Sequence, residues 1–101
     1  MAGIAKVKIT VLRKLDTGDI REKYSNLGGP CERFKVGDEF IAELPTVPQG
    51  FCSVAWADIN QWVMHLAFNG DFFHMKEKGT VIACCTDGLR PVVFKLERIE
   101  D

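Results

Sequence analysis

The stretch that decides the fold is 81-VIACCTDGLRPVVFKLER-98. Apolar residues alternate with others on both sides of Asp87-Gly88, a dipeptide that turns a chain back on itself. The pattern predicts two strands, over about 80–86 and 91–99, joined as a hairpin. In the second, Val92, Phe94 and Leu96 face one way and Val93, Lys95 and Glu97 the other. Pro91 falls at the first position, where a strand tolerates proline. In the first, Val81, Ala83 and Cys85 share one face, and Ile82 and Cys84 the other. The adjacent cysteines therefore serve one site only if the strand breaks or bulges between them.

Upstream lies the strongest helix signal, 53-SVAWADINQWVMHLAF-68. Ala55, Ile59, Trp62, Val63 and Leu66 recur at helical spacing, while Asp58, Gln61 and His65 form the opposite, polar stripe. Ser53 suits the N-cap and Asn69-Gly70 the stop. The segment 70-GDFFHMKEKG-79 then reads as an aromatic loop. Further back, 33-RFKVGDEFIAEL-44 predicts a strand entered through Gly37-Asp38, with Phe40, Ala42 and Leu44 on one side. Near the start, Val7, Ile9 and Val11 alternate with Lys6, Lys8 and Thr10 as in a half-buried strand. Between these two strands a short helix is expected around 19–26, capped by Asp16 or Thr17 and ended by Gly28-Gly29-Pro30. The order β-α-β-α-β-β implies an α+β fold. It would be a single domain over 1–101, a small antiparallel or mixed sheet of about four strands with one long helix on a face and one short helix.

Composition narrows the function classes. With 47% hydrophobic and 27% charged residues the chain reads as an ordinary globular domain. A formal net charge of -1 argues against a broad basic face, and so against nucleic acid as partner. No apolar run approaches the ~20 residues of a membrane span. The N-terminus lacks the order of a signal peptide, so a cytoplasmic protein is expected. In that reducing compartment cysteines are free, metal-bound or redox-active. No phosphate-binding, dinucleotide-binding or serine-hydrolase motif occurs.

The four cysteines, Cys31, Cys52, Cys84 and Cys85, stand at element boundaries, where turns can bring thiols together. Cys52 precedes the long helix, and a cysteine so placed meets exposed N–H groups that favour the thiolate. The opposing reading is plain packing, because free cysteine is among the most buried residue types. The spacings contain no C-x-x-C and match no familiar zinc or iron–sulfur pattern.

The segments 29-GPC-31 leading to 34-FKVGDEF-40, 50-GFC-52 opening a helix, and 85-CTDGLRPVVFKLER-98 resemble a family of small bacterial proteins common in anaerobes. The likeness spans nearly the whole chain, and the ending is its most specific part. It carries no settled biochemical function. It ranks residues: the recurrent cysteines fall on Cys31, Cys52 and Cys85, with Cys84 at a less regular position. Three thiolates at turns then imply a shared site, an iron–sulfur cluster first and zinc second.

Three functional readings follow. The first is a small metalloprotein in which Cys31, Cys52 and Cys85, with or without Cys84, bind an iron–sulfur cluster, or zinc, for electron transfer or small-molecule redox chemistry. Its partners would be a redox protein or a small anionic ligand held by Arg90 beside Asp87, since a guanidinium fork binds carboxylate or phosphate bidentately. The competing reading of these two residues is a capped turn with an ion pair. The second is a metal-free thiol enzyme using Cys52 as nucleophile and Cys85 as resolving thiol. The third is a binding or assembly module with buried cysteines. Cys85 is favoured for the site and Cys84 for packing. His65 is read as solvated, and His74 as a surface group or a fourth ligand. Trp56 is a shield or simply core. Phe72, Phe73 and Met75 are expected to fold over the core, the competing reading being an exposed partner surface.

Overall fold

The structure, a computed structural model, describes residues 3–100. Six elements occur in the expected order: β1 (Val7–Lys14), α1 (Asp19–Tyr24), β2 (Glu39–Ala42), α2 (Ser53–Ala67), β3 (Thr80–Cys84) and β4 (Val92–Arg98). The strands form one antiparallel sheet in the order β2-β1-β4-β3. The fold is therefore α+β, and the choice between antiparallel and mixed resolves to antiparallel throughout. In β1 the register slips between Val11 and Arg13, leaving Leu12 as a bulge.

Strand alternation sorts the two faces. Val7, Ile9 and Val11 of β1 and Val92, Phe94 and Leu96 of β4 are buried, joined by Ala42 of β2 and Val81 of β3. Onto this face α2 lays Ala55, Ile59, Val63 and Leu66, all 2% exposed or less. Trp62, expected in that stripe, is 39% exposed and leaves the core to Ala67. The other face is wet, and Lys8 there bridges Glu39 and Glu97 at 3.8 Å each.

Phe34, in the segment between α1 and β2, is 3% exposed. Its ring packs 5.1 Å from Phe51, 5.2 Å from Phe94 and 5.8 Å edge-on from Phe40. Each such pair is worth about 0.5–1.5 kcal/mol beyond area burial, so this cluster fixes two loops to the sheet.

The caps differ from expectation. Cys52 itself is the N-cap of α2, and Ser53 is its first helical residue. For α1 the N-cap is Gly18, at positive φ, and Asp16 accepts the Gly18 N–H at 2.9 Å instead of capping. That helix ends at Tyr24, before the Gly-Gly-Pro stop, and buries no residue. The end of α2 follows the expected signal: Asn69 adopts φ 71, and Gly70 N–H reaches back to the His65 carbonyl at 2.8 Å.

Candidate functional site

The sheet brings the end of β3, the start of β4 and the N-terminus of α2 to one end of the molecule. Beyond Cys84 the ladder continues for one residue, with Cys85 N–H bonded to the Val92 carbonyl at 3.1 Å. No break or bulge separates the two cysteines, and they face opposite ways. Cys85 is 9% exposed and lies in the core cluster with Val81 and Val92. Its Sγ accepts the Val92 N–H at 3.3 Å. Cys84 is exposed. The expectation that Cys84 packs is thus reversed: strand alternation gives the core to Cys85.

Thr86 then leaves the strand. Its N–H and hydroxyl both donate to the Asp58 carboxylate, at 2.7 and 3.0 Å, tying the turn to α2. Asp87 closes the turn by accepting from Leu89 N–H at 2.9 Å and Arg90 N–H at 3.1 Å. This is the capping role weighed against a ligand role. Arg90 is mostly buried, and its Nε lies 3.8 Å from Asp87 Oδ2 without a hydrogen-bond partner among the described residues. The segment before α1 closes over the same turn, with Thr17 donating its N–H and its hydroxyl to the Leu89 carbonyl, each at 3.0 Å. Beside it the Arg21 guanidinium, 2.7 Å from Asp16, and then the Gly18 N–H hold the Asp16 carboxyl below the usual carboxylate range.

Cys52 is partly buried, makes no side-chain cap bond, and packs against the cluster that contains Cys85. Its neighbour Phe51 stacks edge-on with Trp56 at 6.1 Å, so Trp56 roofs this end. Cys31 also packs against the cluster, in the segment anchored by Phe34. The three turn cysteines thus all touch or join the one hydrophobic core, while Cys84 does not. All four are free thiols. Among the described residues, no three of His, Cys, Asp or Glu are gathered closely enough to hold a metal ion. The donor chemistry suits soft metals, but a cluster on Cys31, Cys52 and Cys85 would require their loops to move inward.

The histidines lie elsewhere. His65 is exposed, with Nε2 3.0 Å from the Asp71 carbonyl and its ring 4.6 Å from Phe72. His74 is exposed beside Phe72 and Phe73. Phe72 and Met75 fold onto the core as expected, but Phe73 is fully exposed. An open hollow of ≈ 850 Å³, lined by Ile4, Lys6, Ala67 and Ile99 among others, lies at the far end from the cysteines.

Two residues take roles that the sequence reading does not assign them. The helical pattern places Asp58 only on the polar stripe. Its signal was the lack of a basic partner one turn away, at Val54 or Trp62. Arg98, whose side chain is 7% exposed, donates to the carbonyls of Leu66 at 3.2 Å and Gly70 at 2.7 Å and to Asp71 at 3.0 Å. That contact, then the Gly79 N–H, holds the Asp71 carboxyl below the usual carboxylate range. No local pattern marks Arg98, because its partners lie about thirty residues away.

No protein family matches the chain, and no curated protein or solved structure shows significant similarity to it. No helix among the described residues is long and apolar enough to cross a membrane.

Proposed function

We propose that the protein is a thiol redox enzyme whose working pair is Cys52 and Cys85. One observation carries the reading: a partly open cysteine at the N-cap of the long helix packs against the cluster that buries a second thiol. Two thiols suffice for this chemistry, so no third donor has to be recruited. Cys52, as thiolate, attacks the outer oxygen of a peroxide. The O–O bond breaks, an alcohol leaves with a proton, and Cys52 becomes a sulfenic acid. The Cys85 thiol then displaces that hydroxyl as water and forms the disulfide. An external dithiol returns two electrons and two protons and restores both thiols. Arg90, in the β3–β4 turn that follows Cys85, would hold an anionic group of the substrate.

A second reading rests on Cys31. A third thiol against the same cluster favours an iron–sulfur cluster, or zinc, on Cys31, Cys52 and Cys85.

Anaerobic purification followed by iron, sulfide and zinc analysis, then stoichiometric peroxide and mass mapping of disulfides, separates the readings. A metal-free protein that forms the Cys52–Cys85 bond, and loses it in Cys52→Ser, is the expected result. Metal bound in stoichiometric amount and lost in Cys31→Ser would replace the first reading by the second. A metal-free protein in which no disulfide forms would sink both and leave an assembly module.

A further inference from the structure

The sheet has two open edges, and they are built differently. Backbone parity shows which groups each edge presents. Flanking β3, the Gly79 carbonyl accepts from Arg98 N–H and the Cys85 N–H donates to the Val92 carbonyl, so odd-numbered residues of this strand face β4. The N–H and C=O groups of Thr80, Ile82 and Cys84 therefore point away from the sheet, and none has a hydrogen-bond partner among the described residues. On the other edge Val11 N–H reaches the Asp38 carbonyl, so even residues of β2 face β1 and Glu39 and Ile41 face outward, while Glu43, just past β2, has its carbonyl taken by the Thr46 N–H.

Self-pairing distinguishes the edges. A strand that meets its own copy antiparallel about a two-fold axis sets residue i against a fixed mirror position. For β2 centred on Ile41, Glu39 would oppose Glu43 of the second copy on the same face. Like charges directly opposed destabilise a pair. For β3 centred on Ile82, Ile82 meets Ile82, and Thr80 meets Cys84. All three are positions whose backbone groups point outward, so donors and acceptors match. No charged residue lies between Lys78 and Asp87, and β3 carries none of the proline, lysine or bulge that usually blocks an edge.

A strand pair alone buries less than the ~1,200 Å² of a standard interface. The remainder would have to come from the helix. Asp58 bonds Thr86 beyond β3, and Trp62 packs 5.6 Å from Phe72 in the segment leading into β3. The stripe Val54–Asp58–Trp62 thus lies on the β3 side of α2. A two-fold axis perpendicular to the sheet keeps both helices on one face, and brings these stripes together. Val54, 62% exposed, and Trp62, 39% exposed, are the apolar groups this contact would cover.

We propose that the partner for this edge is a second copy of the chain, paired β3 to β3 and centred on Ile82 to give a continuous eight-stranded sheet. The proposal is independent of the thiol chemistry. Sedimentation and mild oxidative cross-linking test it. The wild type should sediment at twice the 11.3 kDa chain mass. Ile82→Lys, at a half-exposed position, should keep its circular dichroism and weaken dimerisation by about tenfold or more. Val54→Glu should weaken it without touching the strand. In a Cys84→Ser background, Ile82→Cys should form an interchain disulfide, since paired residues lie about 5.5 Å apart between Cα atoms. A wild type that remains monomeric near ~100 μM, where only contacts weaker than this would be missed, overturns the proposal. So does a dimer that survives Ile82→Lys, or one in which Ile82→Cys fails to cross-link.

Discussion

The two ends of α2 are held by opposite means. At the C-terminal end Arg98 spans four partners: the Leu66 and Gly70 carbonyls at the helix end, Asp71 and Glu100. Every strong donor there has an acceptor. At the N-terminal end the helix is capped by a cysteine without a cap bond, and the β3–β4 turn tied to it through Asp58 and Thr86 carries Arg90, whose Nε is unpaired among the described residues. One end is committed to stability. The other keeps polar groups and thiols in reserve, as a site for chemistry requires.

Removing the committed end should cost the most. Arg98→Met leaves the Gly70 carbonyl without its side-chain donor and removes one donor each from Leu66 and Asp71, which keep the Asn69 and Gly79 N–H groups, and should destabilise by about 2 kcal/mol in urea unfolding. A loss under about 1 kcal/mol would mean water replaces the arginine and the contrast is overstated. Asp58→Ala should cost about 1–2 kcal/mol by freeing the Thr86 N–H and hydroxyl. The same change tests whether the thiol end is anchored through the turn, because Cys85 should then alkylate faster in native protein. Cys85→Ala should cost about 1–2 kcal/mol through lost packing, and Cys84→Ser under about 0.5 kcal/mol. Equal costs at the two cysteines would contradict their opposite facing.

The smallest effect is in acid. Asp71 and Asp16 have carboxyls held down in the folded state, so the unfolded chain binds more protons. Their contribution is complete above the ordinary carboxylate range and is lost as pH falls below about 4 toward the lowered folded values. Unfolding followed from pH 7 to pH 2 should show a shallower decline in Asp71→Asn than in wild type. An unchanged slope would place the Arg98 contact outside the acid response.

Much of this contrast was legible in the sequence, but unevenly. The core faces of β1, β4 and α2 follow from periodicity, because burial on one side imposes period two or 3.6 on the chain. Trp62 was misplaced because its ring has a second apolar surface available, on Phe72, outside the stripe. The opposite facing of Cys84 and Cys85 was readable, and the core assignment still went to the wrong one. Cys85 shares its face with Val81, and that alternation alone assigns it to the core. Strand order and the long-range Arg98 contacts have no local signal, and the missing basic partner that marks Asp58 does not name Thr86, 28 residues on. Convergence of Cys31, Cys52 and Cys85 on one cluster depends on Phe34, a loop residue whose burial no alternation announces.

The sheet order has a consequence for synthesis. The two central strands are the first and the last, β1 and β4, paired from Val7↔Arg98 to Lys14↔Val92. On the ribosome β1 emerges first and waits for its principal neighbour through the making of almost everything between them. Until β4 is released, Val7, Ile9 and Val11 have only the four-residue β2 beside them. Such non-local pairing slows folding and leaves an apolar strand uncovered in the meantime. Nascent chains stalled before Val92 should therefore be the ones that chaperones hold, and release of β4 the event that completes the fold.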